Sequence, residues 1–138
     1  MRALIVDDSR FVRSVLRGML QQRGIECAEA ADGQAGLDQI HAQIHAQIHA
    51  QPHAQPDAAA PFDLALVDWN MPVMDGLEML KQLRAEGFSQ MKVMMVTTEA
   101  ENDFIIRALD AGADEYLMKP FDDEALSEKL AMLGIVEA

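Results

Sequence analysis

Three short runs constrain the architecture most: Leu4-Ile5-Val6, Leu64-Ala65-Leu66-Val67 and Val93-Met94-Met95-Val96 are apolar at every position, without the polar alternation of a half-exposed strand. Strands of this kind are covered on both faces, as in a parallel sheet between helical layers. The stretches between them carry helical spacing. Phe11, Val12, Val15, Leu16, Met19 and Leu20 make one apolar stripe that Gly24 stops, and Leu77, Leu80 and Leu83 make another before Gly87. Ile105, Ala108 and Leu109 precede Gly112, while Leu126, Leu130 and Leu133 supply a terminal helix. A weak strand at Cys27 to Ala30 and a stronger one at Glu115 to Met118 complete five β-α units. The expectation is a doubly wound α/β domain with a five-stranded parallel sheet and right-handed crossovers.

The 138 residues, half of them hydrophobic, suffice for one compact core but not for two ordinary domains, so residues 1–138 are expected to form one domain. A net charge of −12, with no Lys or Arg run longer than one residue, repels phosphate backbones and anionic membranes. Neither nucleic acid nor a membrane is an expected partner. Cys27 is the sole cysteine, and Met1 leads straight into an apolar strand with no signal-peptide pattern, so a cytoplasmic setting is expected.

Open α/β sheets bind ligands beyond the carboxyl ends of their strands, which makes the point where each apolar run turns polar informative. The first run ends in Asp7-Asp8, the third strand in Asp68, the fourth in Thr97-Thr98 and the fifth in Lys119-Pro120. Three carboxylates brought together repel one another, and one lysine cannot balance them. A divalent cation with oxygen ligands is the natural remedy, and Mg²⁺ suits a site that leaves room for waters and phosphate oxygens.

These residues lie in four motifs, "LIVDDSR", "LALVDWNMPVMDG", "MMVTTEA" and "EYLMKPF", which together resemble the response-regulator receiver domain over nearly the whole chain except about residues 41 to 60. Asn70, Glu99 and Tyr116 make the likeness strongest to the stand-alone, chemotaxis-type (CheY-like) receivers. The resemblance implies a (βα)5 flavodoxin-like fold. It implies that Asp68 accepts a phosphoryl group from a histidine kinase or phosphotransfer protein, with Lys119 pairing a phosphoryl oxygen. Asp8, Asp68 and the backbone carbonyl of Asn70 would bind Mg²⁺ (or Mn²⁺), and Asp7 would do so through water. Thr97 and Tyr116 would form the switch, Asn70 and Glu99 would flank the phosphoryl group, and Lys119-Pro120 would be cis. A protein target would dock on roughly Asn102 to Leu133, and a monomer or weak dimer is expected. The same residues would serve a phosphorelay intermediate or a phosphate sink. An Mg²⁺-dependent phosphohydrolase is the rival of another class, but Asn70 stands where it would need a second aspartate. The expectation is therefore a signalling module, not an enzyme with an external substrate.

Each residue also has a plainer reading. Asp8 could cap the helix starting near Ser9, Tyr116 could be a half-buried strand aromatic, and Trp69 could cover the adjacent loop. Met71, Met74, Met94, Met95 and Met118 read as adaptable core filling.

Between the second strand and Phe62 lies "QIHAQIHAQIHAQPHAQP", which holds all four histidines, His41, His45, His49 and His53. Leu37, Ile40, Ile44 and Ile48 follow helical spacing, so the second helix is expected to run on to about Gln51, where Pro52 ends it and an extended loop returns. Residues 41 to 60 then form an insertion away from the crevice. Neighbouring histidines could chelate Zn²⁺ or Ni²⁺, but a closed zinc site wants four ligands and the repeat has no cysteine. A helical extension, solvated or touching a partner, is the stronger reading.

Overall fold

The computed structural model describes residues 1–50, 61–99 and 101–136. Strands β1 (Arg2–Val6), β2 (Glu26–Ala30), β3 (Leu64–Val67), β4 (Lys92–Thr97) and β5 (Glu115–Met118) alternate with helices α1 (Arg10–Gln21), α2 (Gly33–Ala50), α3 (Gly76–Ala85), α4 (Asn102–Asp110) and α5 (Asp123–Met132). The sheet is wholly parallel in the order β2-β1-β3-β4-β5. This is the flavodoxin-like order, with its switch point between β1 and β3. Val6 pairs with Val67 in register, so the residues that follow them, Asp7 and Asp68, leave the sheet side by side.

Alternate residues of each central strand feed two cores. Leu4, Val6, Ala65, Val67, Val93 and Met95 pack with Leu37, Ile40, Leu77, Leu80 and Leu83 of α2 and α3, and with Ala108 of α4. Ala3, Ile5, Leu64, Leu66, Met94 and Val96 pack with Leu16, Leu20, Leu126 and Leu130 of α1 and α5. Two expected stripe members face outward instead. Phe11 is 77% exposed because it lies about 180° around α1 from the buried Leu20. Leu109 is 48% exposed because α4 covers the sheet with a narrow strip centred on Ala108.

Four helices start on side-chain caps: Ser9 accepts from the Val12 amide, Asp32 from Ala35, Asp75 from Glu78 and Asp122 from Ala125. At the opposite end of the molecule Arg84 ties the close of α3 to the strand starts. It donates to the carbonyls of Met91 (2.8 Å), Gly112 (2.8 and 3.1 Å) and Phe88, and to Asp114 Oδ2 at 2.9 Å.

Helix α2 reaches Ala50 as the repeat's spacing predicts. Leu37 and Ile40 are fully buried, whereas Ile44 is only half-buried, where α2 passes the base of the sheet. There Arg2 donates to Gln43 Oε1 at 3.2 Å, and His41 Nε2 lies 2.7 Å from Glu86 Oε1. The expected stop at Pro52, the return loop and His53 lie outside the described residues, as does the side chain of His49.

Candidate functional site

The parallel sheet delivers the polar strand ends to one place. Carboxylate oxygens of Asp7, Asp8 and Asp68 lie within 4.8 Å of one another. Lys119, carried in from β5, sets its ammonium 2.8 Å from Asp7 Oδ2 and 3.2 Å from Asp68 Oδ2. The Lys119–Pro120 peptide is cis, as the motif implied.

The two adjacent aspartates differ. Asp7 is 2% exposed, and both its oxygens are engaged, one accepting the Ser9 amide at 2.8 Å and the other Lys119. Asp8 is exposed, and no hydrogen bond or ion pair engages its side chain among the described residues. Because Ser9 itself caps α1, Asp8 is released from that role. An exposed carboxylate beside two buried ones, all oxygen donors with no thiolate or imidazole, suits a hard divalent cation.

Burial pushes the Asp68 carboxyl up from its ordinary value, and the Asp7 charge adds to this. The Lys119 charge opposes it, as do hydrogen bonds from Lys119 and Thr97, without cancelling it. Burial works against the charged Lys119, but the hydrogen bond to Asp7, with the charges of Asp68 and Asp7, leaves the ammonium above its usual value. Lysine pairing alone would lower Asp68; desolvation and the second carboxylate outweigh it.

Glu99 organises the opposite rim. Its amide donates to Thr97 Oγ1 at 3.3 Å, its Oε1 accepts from Asn70 Nδ2 at 2.5 Å, and its carbonyl accepts the Tyr116 hydroxyl. Thr97 is fully buried, and so is most of the Tyr116 ring. Burial, aided by the charges of Glu99 and Asp68, pushes the Tyr116 hydroxyl up to about 12. The structure thus brings Asp7, Asp8, Asp68, Thr97 and Lys119 to one crevice, with Asn70, Glu99 and Tyr116 linked along its rim; the repeat's His41 lies elsewhere, beside Glu86.

Two further contributors, Gly76 and Arg13, were given no role from the sequence. Gly76 opens α3 directly against β3: a Cβ there would sit 2.1 Å from the Asp68 carbonyl oxygen, so only glycine fits. Arg13 donates to the Asp7 carbonyl at 2.6 Å. Trp69 meets Phe104 edge to face, with ring centres 5.0 Å apart, under the Arg107 guanidinium at 5.3 Å. The ring is 5% exposed and packs into the core beside α4.

Fold and site together define a class: a doubly wound sheet whose switch-point crevice holds an acidic cluster and one half-buried lysine. The model of the response regulator receiver domain matches residues 3–131. The chemotaxis protein CheY of Pseudomonas aeruginosa is 36% identical over 132 residues, covering 94% of this chain and 93% of that protein. CheY1 of Helicobacter pylori is 33% identical over 135 residues, covering 96% of each. A high-resolution structure of the chemotaxis response regulator CheY4 of Vibrio cholerae superposes with a TM-score of 0.74 at 32% identity over 98% of both chains. This chain belongs to the response-regulator receiver family and is CheY-like. Receivers are signalling proteins, and among the described residues no helix is long and apolar enough to cross a membrane.

Proposed function

We propose that this chain is a single receiver, interrupted by its repeat, that relays a two-component signal in the cytoplasm, with motility control the pathway its relatives favour. Asp68 Oδ attacks the phosphorus of a phosphohistidine on a kinase or phosphotransfer partner. The P–N bond breaks, the imidazole leaves with its electron pair, and an aspartyl phosphate forms. The observation that carries this reading is the buried Asp68 beside Lys119 and two further carboxylates. In such a site catalysis consists of positioning and charge neutralisation. Bound Mg²⁺, or Mn²⁺ in its place, would neutralise phosphoryl oxygens. Asp8, Asp68 and the Asn70 carbonyl would hold the ion, and Asp7, with both oxygens already engaged, would reach it through water.

The switch follows from the Glu99 linkage. When Thr97 turns its hydroxyl to the new phosphoryl group it gives up the Glu99 amide, and the loop that anchors Tyr116 shifts. The changed surface, roughly Asn102 to Leu133, carries the exposed Ile106 and Leu109 that a protein target would cover. Asn70 and Glu99, joined at the rim, would flank the phosphoryl group and set its lifetime.

Labelling with a small acyl phosphate in Mg²⁺ tests the assignment. The wild type should incorporate one phosphoryl group per chain and Asp68→Asn none. Full labelling of Asp68→Asn would sink it.

A further inference from the structure

Asp8 is the member of the acidic cluster whose side chain no protein group engages among the described residues, so the backbone that carries it sets where it stands. That backbone is pinned on both sides. After Asp8, the Ser9 amide donates to Asp7 Oδ1 at 2.8 Å. Before it, the Asp7 amide donates to the Ala30 carbonyl at 3.1 Å, and the Asp7 carbonyl accepts from Arg13 Nη1 at 2.6 Å. A peptide unit is planar, so holding the Cα and carbonyl oxygen of Asp7 also places the Cα of Asp8.

Arg13 reaches this carbonyl from a fixed position of its own. It lies one turn into α1 with its side chain 16% exposed, and its Nε donates to Glu29 Oε1 at 3.1 Å. Glu29 belongs to β2, where it pairs with Ile5 of β1. An ion pair so near the surface adds little to stability. Its geometry gives it another use. The guanidinium presents separate donors to the carboxylate and to the carbonyl, a fork that a lysine ammonium lacks. We infer that Arg13 is a positioning residue for the crevice cation: held by Glu29, it grips the Asp7 carbonyl and so fixes where the Asp8 carboxylate meets the ion. The inference rests on the proposed reading of Asp8 as a cation ligand, and Arg13 acts through the Asp7–Asp8 peptide rather than on the ion itself.

Two effects of removing Arg13 oppose each other. Losing a positive charge favours a bound cation, by about twofold for one charge screened by water. Loosening the peptide disfavours it, and groups that orient a metal ligand typically contribute about tenfold or more to affinity. Positioning therefore wins, and the sign of the change separates the two.

Titration of the full chain with Mn²⁺ in place of Mg²⁺, the free ion counted by electron paramagnetic resonance, tests this without phosphorylation. Arg13→Ala should weaken binding about fivefold to tenfold, and Arg13→Lys should do nearly the same although it keeps the charge. Arg10→Ala, which removes an exposed charge from the same helix, should leave affinity within about twofold. In an Asp8→Ala background nothing is left to position, so adding Arg13→Ala should weaken binding no further. Unchanged or tighter binding in Arg13→Ala, rescue by Arg13→Lys, or additive losses in the double variant would overturn the role of Arg13. Wild-type affinity in Asp8→Ala would instead remove the ligand assignment, and the inference with it. A metal-free melt keeps folding apart from binding: a merely structural arginine would lower the melting temperature and leave the affinity of the folded protein unchanged, which also counts against the inference.

Discussion

Asp68 is a charge that the fold tolerates rather than favours. Its carboxyl is raised above the ordinary value of 3.8, first by burial and then by Asp7, despite Lys119. A group raised in the folded state contributes its full stability below the unfolded value and loses that contribution as pH climbs through the folded value. Near pH 7 the ionised Asp68 is therefore a burden. Asp68→Asn should melt above the wild type at pH 7, and the gain should shrink as pH falls towards 3.8; thermal melts across that range check it, and a lower melting point at pH 7 would mean the lysine pairing dominates. Val73, five residues further on, is strained in another way: it is β-branched, with φ at 69° in the left-handed region, and 81% exposed, so no packing compensates. Val73→Gly should stabilise by about 1 kcal/mol, seen as a higher denaturant midpoint at constant slope. The site aspartates and the lysine were legible in the sequence because each sits where an apolar run turns polar. Gly76 and Val73 were not, since a close approach and a positive φ exist only after the chain is folded. Asp8 was ambiguous until Ser9 emerged as the cap.

Among the helices α4 is the most lightly held. Ala108 is its one buried residue, and its N-cap, Glu101, makes no side-chain bond to the first turn. What fixes it is the stack of Arg107 over Trp69 and Phe104, at 5.3 and 5.7 Å, which joins α4 to the residue beside Asp68. Removing the guanidinium should cost about 1 kcal/mol, in the usual range for such a contact. Arg107→Ala should shift Trp69 emission and speed amide exchange in α4 while leaving α3 unchanged. Equal exchange in both variants would show that α4 is held by its backbone surroundings alone. Periodicity located this helix but put Leu109 on the inner face. An apolar stripe records which residues could be buried, and the sheet decides how wide a strip it covers.

For the whole molecule, the strand order decides what the repeat can affect. The α2 extension meets Arg2, at the start of β1, and Glu86, at the close of α3, on the side away from the crevice. Deleting residues 41 to 56 should leave Asp68 labelling and Mg²⁺ affinity within about twofold of wild type. Losing the Gln43 and His41 contacts should lower stability by about 1–2 kcal/mol, the net worth of two part-exposed hydrogen bonds. Loss of labelling with an intact fold would relocate the repeat to the site. Fold class and crevice were legible because unalternated apolar runs demand a covered parallel sheet whose polar strand ends converge, and the repeat stood out because a receiver needs only a short second helix. The anchoring of the repeat was not, since it depends on contacts across the base. The order β2-β1-β3 also sets a clock. During synthesis β1 can pair once β2 has been made, but its other edge waits for β3, roughly thirty-five residues later still, an interval of about 2–7 s at ordinary translation rates. Each further four-residue unit adds about 0.2–0.8 s to that wait, yet raises the closure entropy only logarithmically. The repeat's length is thus felt far more in the time a central strand spends half-paired than in the stability of the finished protein.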